Sequence, residues 1–208
     1  MNSTINLDPN LLLLLVACLY ILVFGGLSFL RREGLSLQFA MEVIVVTALV
    51  LGLSRLANRP VSPILFLILL YLITMRSRLL VDVANLLAER AKYKAAFSLY
   101  RLGLAWWPDA ASRLIVLTNR GAAELFSGQA ETAIQTLEGV LAVENRSRLG
   151  LKYEAACRYN LGQAYAKKGD RPKAVQQLNE VIDLMPASRY GQAARATLKR
   201  WKETITED

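Results

Sequence analysis

The sequence predicts an all-α protein in which membrane-spanning helices precede a soluble array of paired helices. Three observations support this fold class. The apolar residues are concentrated at the start of the chain, where residues 1–75 contain only four arginines and three acids. Apolar residues in the second half recur three and four positions apart, which is the spacing of one helix face. Glycine and proline recur there at places that would end one helix and begin the next.

The first 75 residues contain three candidate membrane helices, at about 11–30, 38–56 and 61–76. Leu11–Leu30 is twenty residues without a charge, the length that crosses a bilayer core as a helix. Glu42 interrupts the second segment near its start. The third segment, Pro63–Met75, covers roughly 20 Å of a ~30 Å core. We expect three crossings, and the alternative is a re-entrant hairpin formed with the second segment.

Arginine placement predicts the topology of these segments. A pair of arginines follows each segment: Arg31 and Arg32, Arg55 and Arg59, and Arg76 and Arg78. With the N-terminus outside, two of the three pairs lie on the inner side, together with the basic second half of the chain. We therefore expect an N-terminus outside and a second half in the cytoplasm.

Histidine is absent, and the two cysteines, Cys18 and Cys157, lie in different halves of the chain. Histidine is the commonest general base and a common metal ligand, and a disulfide framework or thiolate site needs more cysteines. We therefore expect no cofactor, no metal site and no catalytic centre. Leu15–Cys18 resembles a lipobox, which would make Cys18 a lipidated N-terminus. The missing basic residues before it favour a cysteine inside a transmembrane helix.

One stretch, Ala155–Ser188, has the spacing of two paired antiparallel helices. The small Gly162 and Ala174 let the helices approach closely. Gly169 allows a tight turn between them, and Pro186 stops the second helix. This unit resembles a tetratricopeptide repeat, a helix–turn–helix of about 34 residues. The residues that carry the resemblance are Leu161, Gly162, Tyr165, Gly169, Ala174, Leu178 and Pro186.

The resemblance implies a solenoid of three repeats, because one helical hairpin cannot bury its own apolar face. We place the repeats at 77–110, 114–147 and 155–188, although Asn145 stands where the second repeat should have its closing proline. The extra residues between the repeats, 111–113 and 148–154, are expected in the connections. Residues 189–208 then form a capping helix and tail, and residues 1–75 form the membrane anchor.

The resemblance also implies where a partner would bind, because the first helix of each repeat lines the concave face of such arrays. These positions are Asp82, Asn85, Glu89, Thr118, Asn119, Ala122, Leu125, Phe126, Tyr159, Asn160 and Gln163. One branch of the family binds a C-terminal carboxylate with two asparagines, matched by Asn85 and Asn119, and three basic residues. The basic positions hold Val81, Ala156 and Asn160, so a carboxylate would lack compensating charge. We expect a neutral groove that takes a peptide or helix of a partner protein.

A second surface is expected where the repeats meet the bilayer. Residues 63–90 contain no glycine or proline after Pro63, which predicts one helix of about 28 residues from the membrane into the first repeat. Its antiparallel partner would return toward the bilayer at Trp106 and Trp107, and indole rings favour the headgroup level. The residues assigned to this membrane interface are Arg76, Arg78, Trp106, Trp107, Arg146 and Arg148.

The remaining charged residues are expected to have structural roles. Glu42 is expected at the membrane interface rather than as an ion ligand. The basic residues at 167–173 have no interleaved aromatic residues and include Asp170, so they are expected to form a solvated turn. Nucleic acid is therefore not expected as a partner.

These observations predict a non-catalytic, membrane-anchored scaffold that binds a protein partner and a lipid bilayer, in assembly or stabilisation of a membrane complex. Similar membrane-tethered tetratricopeptide proteins occur in thylakoids and bacterial envelopes, so a bacterial inner or thylakoid-type membrane is expected. We expect no small-molecule substrate. Two alternatives remain: a membrane enzyme or transporter subunit with accessory repeats, or a lipid- or RNA-binding adaptor, which the +8 net charge suggests.

Overall fold

The computed structural model describes residues 8–30, 36–142 and 149–207, with side chains up to Glu203. These residues form ten α-helices and no β-strand, which confirms the all-α fold class. The helices are α1 (Pro9–Leu30), α2 (Leu37–Leu56), α3 (Pro63–Thr74), α4 (Arg76–Glu89), α5 (Tyr93–Ala105), α6 (Ala110–Phe126), α7 (Ala130–Ala142), α8 (Leu151–Lys167), α9 (Arg171–Leu184) and α10 (Arg189–Glu207).

Helices α1, α2 and α3 pack into an antiparallel bundle that is apolar on the inside and the outside. Its buried core consists of Leu13, Ala17, Tyr20, Phe39, Val43, Phe66 and Leu70. The outward side chains include Leu22, Leu56 and Ile64, which are 70%, 86% and 71% exposed. An apolar exterior of this extent is typical of a lipid-facing surface. Two helices, α1 and α2, are long and apolar enough to cross a membrane, and the bent pair α3–α4 adds a third if counted as one span.

The third membrane segment does not continue into the first repeat as one helix. Helix α3 ends at Thr74, α4 begins at Arg76, and the two axes are bent by 70°. The Thr74 hydroxyl donates to the carbonyl of Leu70 at 2.8 Å, a side-chain bond that bends helices. Arg76 Nη1 donates to the carbonyl of Ile73 at 2.7 Å. The prediction of a continuous 63–90 helix is therefore wrong: the chain bends without glycine or proline, next to Arg76, whose guanidinium bonds to Glu42 of α2.

Helices α4 to α9 form three antiparallel hairpins, α4–α5, α6–α7 and α8–α9, which stack side by side. The first helices α4, α6 and α8 contact one another in sequence, and α10 packs on α9 and α8. A continuous core runs through the stack and includes Tyr100, Val116, Leu137 and Leu161. Each hairpin buries its apolar side against a neighbour, as stacked repeats do.

The local structure of the third hairpin follows from its small residues and turn signals. A Cβ atom at Gly162 would lie 3.1 Å from Leu178 Cγ and 3.2 Å from the carbonyl oxygen of Ala174, so the close approach of α8 and α9 requires glycine. Gly169 has a φ of +82°, which glycine adopts without strain. Helix α9 ends at Leu184, just before Pro186.

Helices α6 and α8 begin about one turn earlier than the sequence predicted. Residues 111–113 and 151–154 lie inside these helices and not in connections. Asp109 caps the start of α6, since its Oδ1 accepts a hydrogen bond from the backbone N–H of Ser112 at 2.7 Å. The longer first helices carry additional side chains onto the concave face of the stack.

Candidate functional site

The first helices of the three hairpins, together with the start of α10, enclose a groove of about 720 Å³. We call this surface the concave groove. Nine of the eleven positions assigned from the sequence line it: Asp82, Asn85, Glu89, Thr118, Asn119, Ala122, Phe126, Tyr159 and Asn160.

The other two assigned positions lie elsewhere. Leu125 is 2% exposed in the core, because it follows Gly121 by one turn on the face of α6 that packs against α7. Its carbonyl accepts a hydrogen bond from Lys167 Nζ at 3.1 Å. Gln163 is partly buried on α8 and lies outside the lining of the groove.

The two asparagines of the groove bond to each other and to the protein itself. Asn85 Nδ2 donates to Asn119 Oδ1 at 3.0 Å. Asn85 Oδ1 accepts from the hydroxyl of Tyr100 at 2.6 Å, and Asn119 Nδ2 donates to the carbonyl of Ile115 at 2.8 Å. This chain of hydrogen bonds joins α4, α5 and α6. The asparagines therefore stabilise the floor of the groove.

Twelve further residues line the concave groove that the sequence analysis did not assign to it, and they include Arg78, Tyr93, Lys152, Tyr153, Arg189 and Tyr190. Lys152 and Tyr153 were missed because α8 begins before the predicted repeat. Arg189 and Tyr190 open the capping helix, which was not counted as part of the groove. The groove is therefore charged, and not neutral as the sequence analysis expected. Its acids lie on α4, and its basic residues lie on α4, α8 and α10.

Several aromatic side chains line the concave groove. Phe126 is 65% exposed at the end of α6. Tyr159 and Tyr190 contact each other with ring centroids 5.8 Å apart, which joins α8 to α10. Asn160 follows Tyr159 along α8 and also lines the groove, where it is 8% exposed. Aromatic residues are enriched at surfaces that bind proteins.

Comparison with known proteins identifies the helical hairpins. Residues 112–187, which span α6 to α9, match the family model described as tetratricopeptide repeat. These residues are tetratricopeptide repeats. No match was found among curated proteins or among solved structures. In this family, stacked helical hairpins generally form the surface that binds partner proteins.

The repeat region is joined to the bundle by a cluster of polar groups around Arg76. Its Nη1 and Nη2 donate to the two carboxylate oxygens of Glu42 at 2.7 and 2.8 Å. Its Nε and Nη2 donate to the carbonyls of Trp106 and Trp107, both at 2.9 Å. Gln38 Nε2 also donates to the carbonyl of Trp107 at 2.7 Å. We call this cluster the Arg76 junction, and it connects α2, α4 and the α5–α6 loop.

The residues assigned to the membrane interface fall into two groups. Trp106 and Trp107 are 48% and 84% exposed at the Arg76 junction, on the bundle side of the repeat region. Arg78 lies between the junction and the concave groove, and its Nε is 3.4 Å from Ser112 Oγ. Arg146 and Arg148 lie outside the described residues, as do Arg31, Arg32 and Asn145.

The basic turn between α8 and α9 bonds within the protein. Lys167 caps α6 through the carbonyl of Leu125, and Lys168 forms an ion pair with Glu131. The guanidinium of Arg171 lies 5.3 Å from the Trp201 ring centroid and donates to its carbonyl. These side chains stabilise contacts between neighbouring helices, in agreement with the structural role that the sequence predicted for the turn.

Cys157 is fully buried between α7 and α8. Its thiol lies 3.5 Å from the carbonyl of Leu137. Burial raises the pKa of the Cys157 thiol to about 12. Since the thiolate is the nucleophilic form, this cysteine packs the core.

Proposed function

We propose that this protein is a non-catalytic, membrane-anchored scaffold whose concave groove holds a peptide or helix of a partner protein. We further propose that it acts in the assembly or stabilisation of a membrane complex. The observation that carries the proposal is the concave groove, a surface built by three hairpins and lined by aromatic rings, of which Phe126 is 65% exposed. A groove of this kind accepts a segment of protein by burying one or two apolar anchors.

The dimensions of the groove suit a short segment. Neighbouring first helices lie about 10 Å apart, so three of them span roughly 20 Å. At ~3.3 Å per residue, this length accommodates about six residues of an extended chain. A helix of between three and four turns has about the same length.

The charges of the groove would set the direction of the bound segment. Asp82 and Glu89 lie on α4, while Lys152 and Arg189 lie on α8 and α10. A segment with a basic residue at one end and an acidic residue at the other would meet opposite charges in only one orientation. Such complementarity contributes more to specificity than to affinity.

The membrane assignment rests on the bundle and on the arginine pattern. Helices α1 and α2 are long enough to span, and the repeats lie at the same end of the bundle as the start of α2. The arginine pattern then places the repeats in the cytoplasm of a bacterial inner membrane, or on the equivalent side of a thylakoid-type membrane. Trp106 and Trp107 would lie at the headgroup level.

A cross-linking experiment tests the binding function. A photoreactive phenylalanine derivative at Phe126 should capture a protein in native membranes, whereas the same group at Asn179, exposed on α9, should not. The captured partner is then purified and its affinity measured. Tyr159→Ala should weaken binding by about 2 kcal/mol, or roughly thirtyfold, because it truncates an aromatic side chain that lines the groove. Equal affinity for Tyr159→Ala and Asn179→Ala would exclude the groove as the binding surface.

The depth of the two tryptophans tests the membrane interface. In a Trp201→Phe background, lipids with quenchers at defined depths should quench Trp106 and Trp107 most strongly near the headgroups. Quenching only by water-soluble reagents would show that the loop lies clear of the bilayer.

A further inference from the structure

The apolar surface of the concave groove is mainly aromatic. Five of the eight tyrosines of the chain line it, and Phe126 is a further aromatic residue there. These tyrosines are Tyr93, Tyr100, Tyr153, Tyr159 and Tyr190. Among the described residues, the aliphatic side chains that line the groove belong to Val81 and Ile115, which are only 3% and 2% exposed, and to four alanines. A ligand in the groove would therefore meet rings and few aliphatic chains.

The rings are held in place by contacts within the protein. Tyr159 and Tyr190 have ring centroids 5.8 Å apart, and their planes are tilted by 46°. Lys152 Nζ lies 5.7 Å from the Tyr153 ring centroid, and the Arg189 guanidinium lies 4.7 Å from the Tyr190 ring centroid. All three tyrosines are partly buried. Side chains that are already ordered lose little conformational freedom on binding, so these rings form a preorganised surface.

The lining distinguishes between three ways in which proteins bind peptide segments. An added strand pairs with an exposed sheet edge, and the described residues form no strand. An amphipathic helix inserts large apolar anchors into a hydrophobic groove, whereas the aliphatic residues of this lining are buried or are alanines. A proline-rich segment in the polyproline II conformation docks into a groove lined by aromatic residues. The composition of the lining favours this third mode.

The polar groups of the lining suit the backbone of such a segment. A polyproline II helix has no internal hydrogen bonds, and proline has no backbone N–H. The segment therefore needs hydrogen-bond donors for its carbonyl groups. The lining contains donors of this kind in the hydroxyl of Tyr159, the ammonium of Lys152 and the guanidinium of Arg78.

We propose that the concave groove binds a proline-rich segment in the polyproline II conformation, with a basic residue at the end that lies on α4. At ~3.1 Å per residue, a groove of roughly 20 Å accommodates about six residues. Proline rings pack against the tyrosine rings. Glu89, which is exposed at the end of α4, binds the basic residue. This inference rests on the peptide-binding role proposed above and specifies the chemistry of the bound segment.

Synthetic peptides added to the full-length chain in detergent test the inference. One probe consists of an arginine, six prolines and a glutamate, and a second probe has the same residues in reverse order. In the matched peptides, either alanine or alternating glycine and serine replaces the prolines. The tighter-binding proline probe should bind about tenfold or more tightly than its matched peptides, because it is already extended and loses less conformational freedom. Fluorescence anisotropy of labelled peptides measures the affinities.

Equal or tighter binding of the matched peptides would overturn the inference, and tighter binding of the alanine peptide would indicate a helical segment. No binding of either proline probe at roughly 1 mM would also overturn it. Capture of a partner at Phe126 alongside any of these results would leave the proposed function standing. Absence of capture at Phe126 would instead remove the proposed function, and the inference with it.

Leucine in place of tyrosine tests the aromatic contact. Tyr153→Leu and Tyr190→Leu keep an apolar side chain but remove the ring, so each should weaken binding of the proline probe by about tenfold. Tyr153→Phe keeps the ring and should stay within about threefold of the original affinity. Tyr71→Leu is the matched control, since Tyr71 lies on α3 and does not line the groove. Affinities of both groove leucine variants equal to that of the control would contradict the packing of proline on these rings.

The role of Glu89 is tested with the two orders of the probe. Their affinities should differ by about tenfold, because only one direction places the arginine at Glu89. Glu89→Gln should remove most of this difference, since the amide has no charge. Equal affinities for the two orders, or a difference that Glu89→Gln leaves unchanged, would show that Glu89 does not bind the basic residue, and this part of the proposal would fail.

Discussion

Arg76 bonds to three separate parts of the chain. It forms both bonds of a bidentate ion pair with Glu42, and the two side chains are only 20% and 23% exposed. It also holds the carbonyls of Trp106 and Trp107. Trp107 has a φ of +42°, a region that costs an ordinary residue about 1–2 kcal/mol. The hydrogen bonds to its carbonyl from Arg76 and Gln38 offset this strain.

Loss of Arg76 should loosen the connection between the bundle and the repeat region. Arg76→Ala leaves Glu42 and two carbonyls without their donor, which should cost about 1–3 kcal/mol. Arg76→Lys should cost less, because it keeps the charge but loses the bidentate geometry. Thermal unfolding in detergent and protease cleavage at the α5–α6 loop measure the effect. Arg101→Ala, an exposed arginine on α5, is the control, and equal stability of the two alanine variants would contradict the prediction.

Cys157 is expected to be unreactive in the folded protein. With a pKa of about 12, roughly one thiol in ten thousand is ionised at pH 8, and the sulfur is also buried. In a Cys18→Ala background, a thiol-reactive dye should therefore label Cys157 only as fast as the repeat region unfolds. Labelling should accelerate with denaturant. Rapid labelling at pH 8 without denaturant would show that α7 and α8 are not packed around this residue.

At the scale of the helices, three positions set how closely the hairpins pack. A Cβ atom at Gly121 would lie 2.7 Å from Leu137 Cγ, and one at Gly191 would lie 2.3 Å from the carbonyl oxygen of Met185. The first contact joins α6 to α7, and the second joins α10 to the end of α9. Gly162 has the same role between α8 and α9. The packing therefore depends on residues that have no side chain.

Large side chains at these close approaches should unfold the repeat region and leave the bundle inserted. Ala84→Trp, Gly121→Trp and Gly162→Trp each overpack a contact between paired helices, which costs on the order of 1–3 kcal/mol or more. Gly139→Trp is the matched control, since nothing lies within 4 Å of a Cβ atom there. Limited proteolysis and membrane extraction report on the two parts. Protease resistance of the three variants equal to that of the control would contradict the packing.

At the scale of the whole molecule, the repeats and the turn between α2 and α3 lie at opposite ends of the bundle. Gln38 at the start of α2 bonds to the α5–α6 loop, while the Ser54 hydroxyl donates to the carbonyl of Arg59 at the other end. The orientation of the bundle in a membrane would therefore determine both the side on which the repeats lie and the side on which the α2–α3 turn lies. The arginine pattern predicts that the α2–α3 turn faces outward.

Cysteine labelling tests this orientation. In a Cys18→Ala background, Asn58→Cys in the α2–α3 turn should react with an impermeant maleimide on intact cells. Asn179→Cys on α9 should react only after the membrane is permeabilised. The reverse result would invert the topology, and labelling of both sites from outside would show that the bundle does not span.

The sequence alone predicted the helical hairpins, the apolar helices that precede them, and nine of the residues that line the concave groove. Each of these depends on local spacing. Within one short stretch, Gly162 allows two helices to approach closely, Gly169 allows the turn between them, and Pro186 ends the second helix. Groove positions follow from the same spacing, since residues three and four apart share a helix face. Lys152 escaped prediction because α8 begins before the predicted repeat, and Arg189 because the capping helix was not counted as part of the groove.

Only the tertiary structure decided the bend between α3 and α4 and the pairing of Glu42 with Arg76. These two residues are 34 positions apart, and nothing in either local sequence specifies the other. The 63–90 segment has the composition of one continuous helix, yet it breaks where Arg76 finds partners on α2 and in the α5–α6 loop. The burial of Leu125 also depends on tertiary structure, because α7 and α8 form its environment. The direction in which the groove opens relative to the bundle depends on this bend. The contacts that hold the bend join segments distant along the chain, so the local sequence does not specify it.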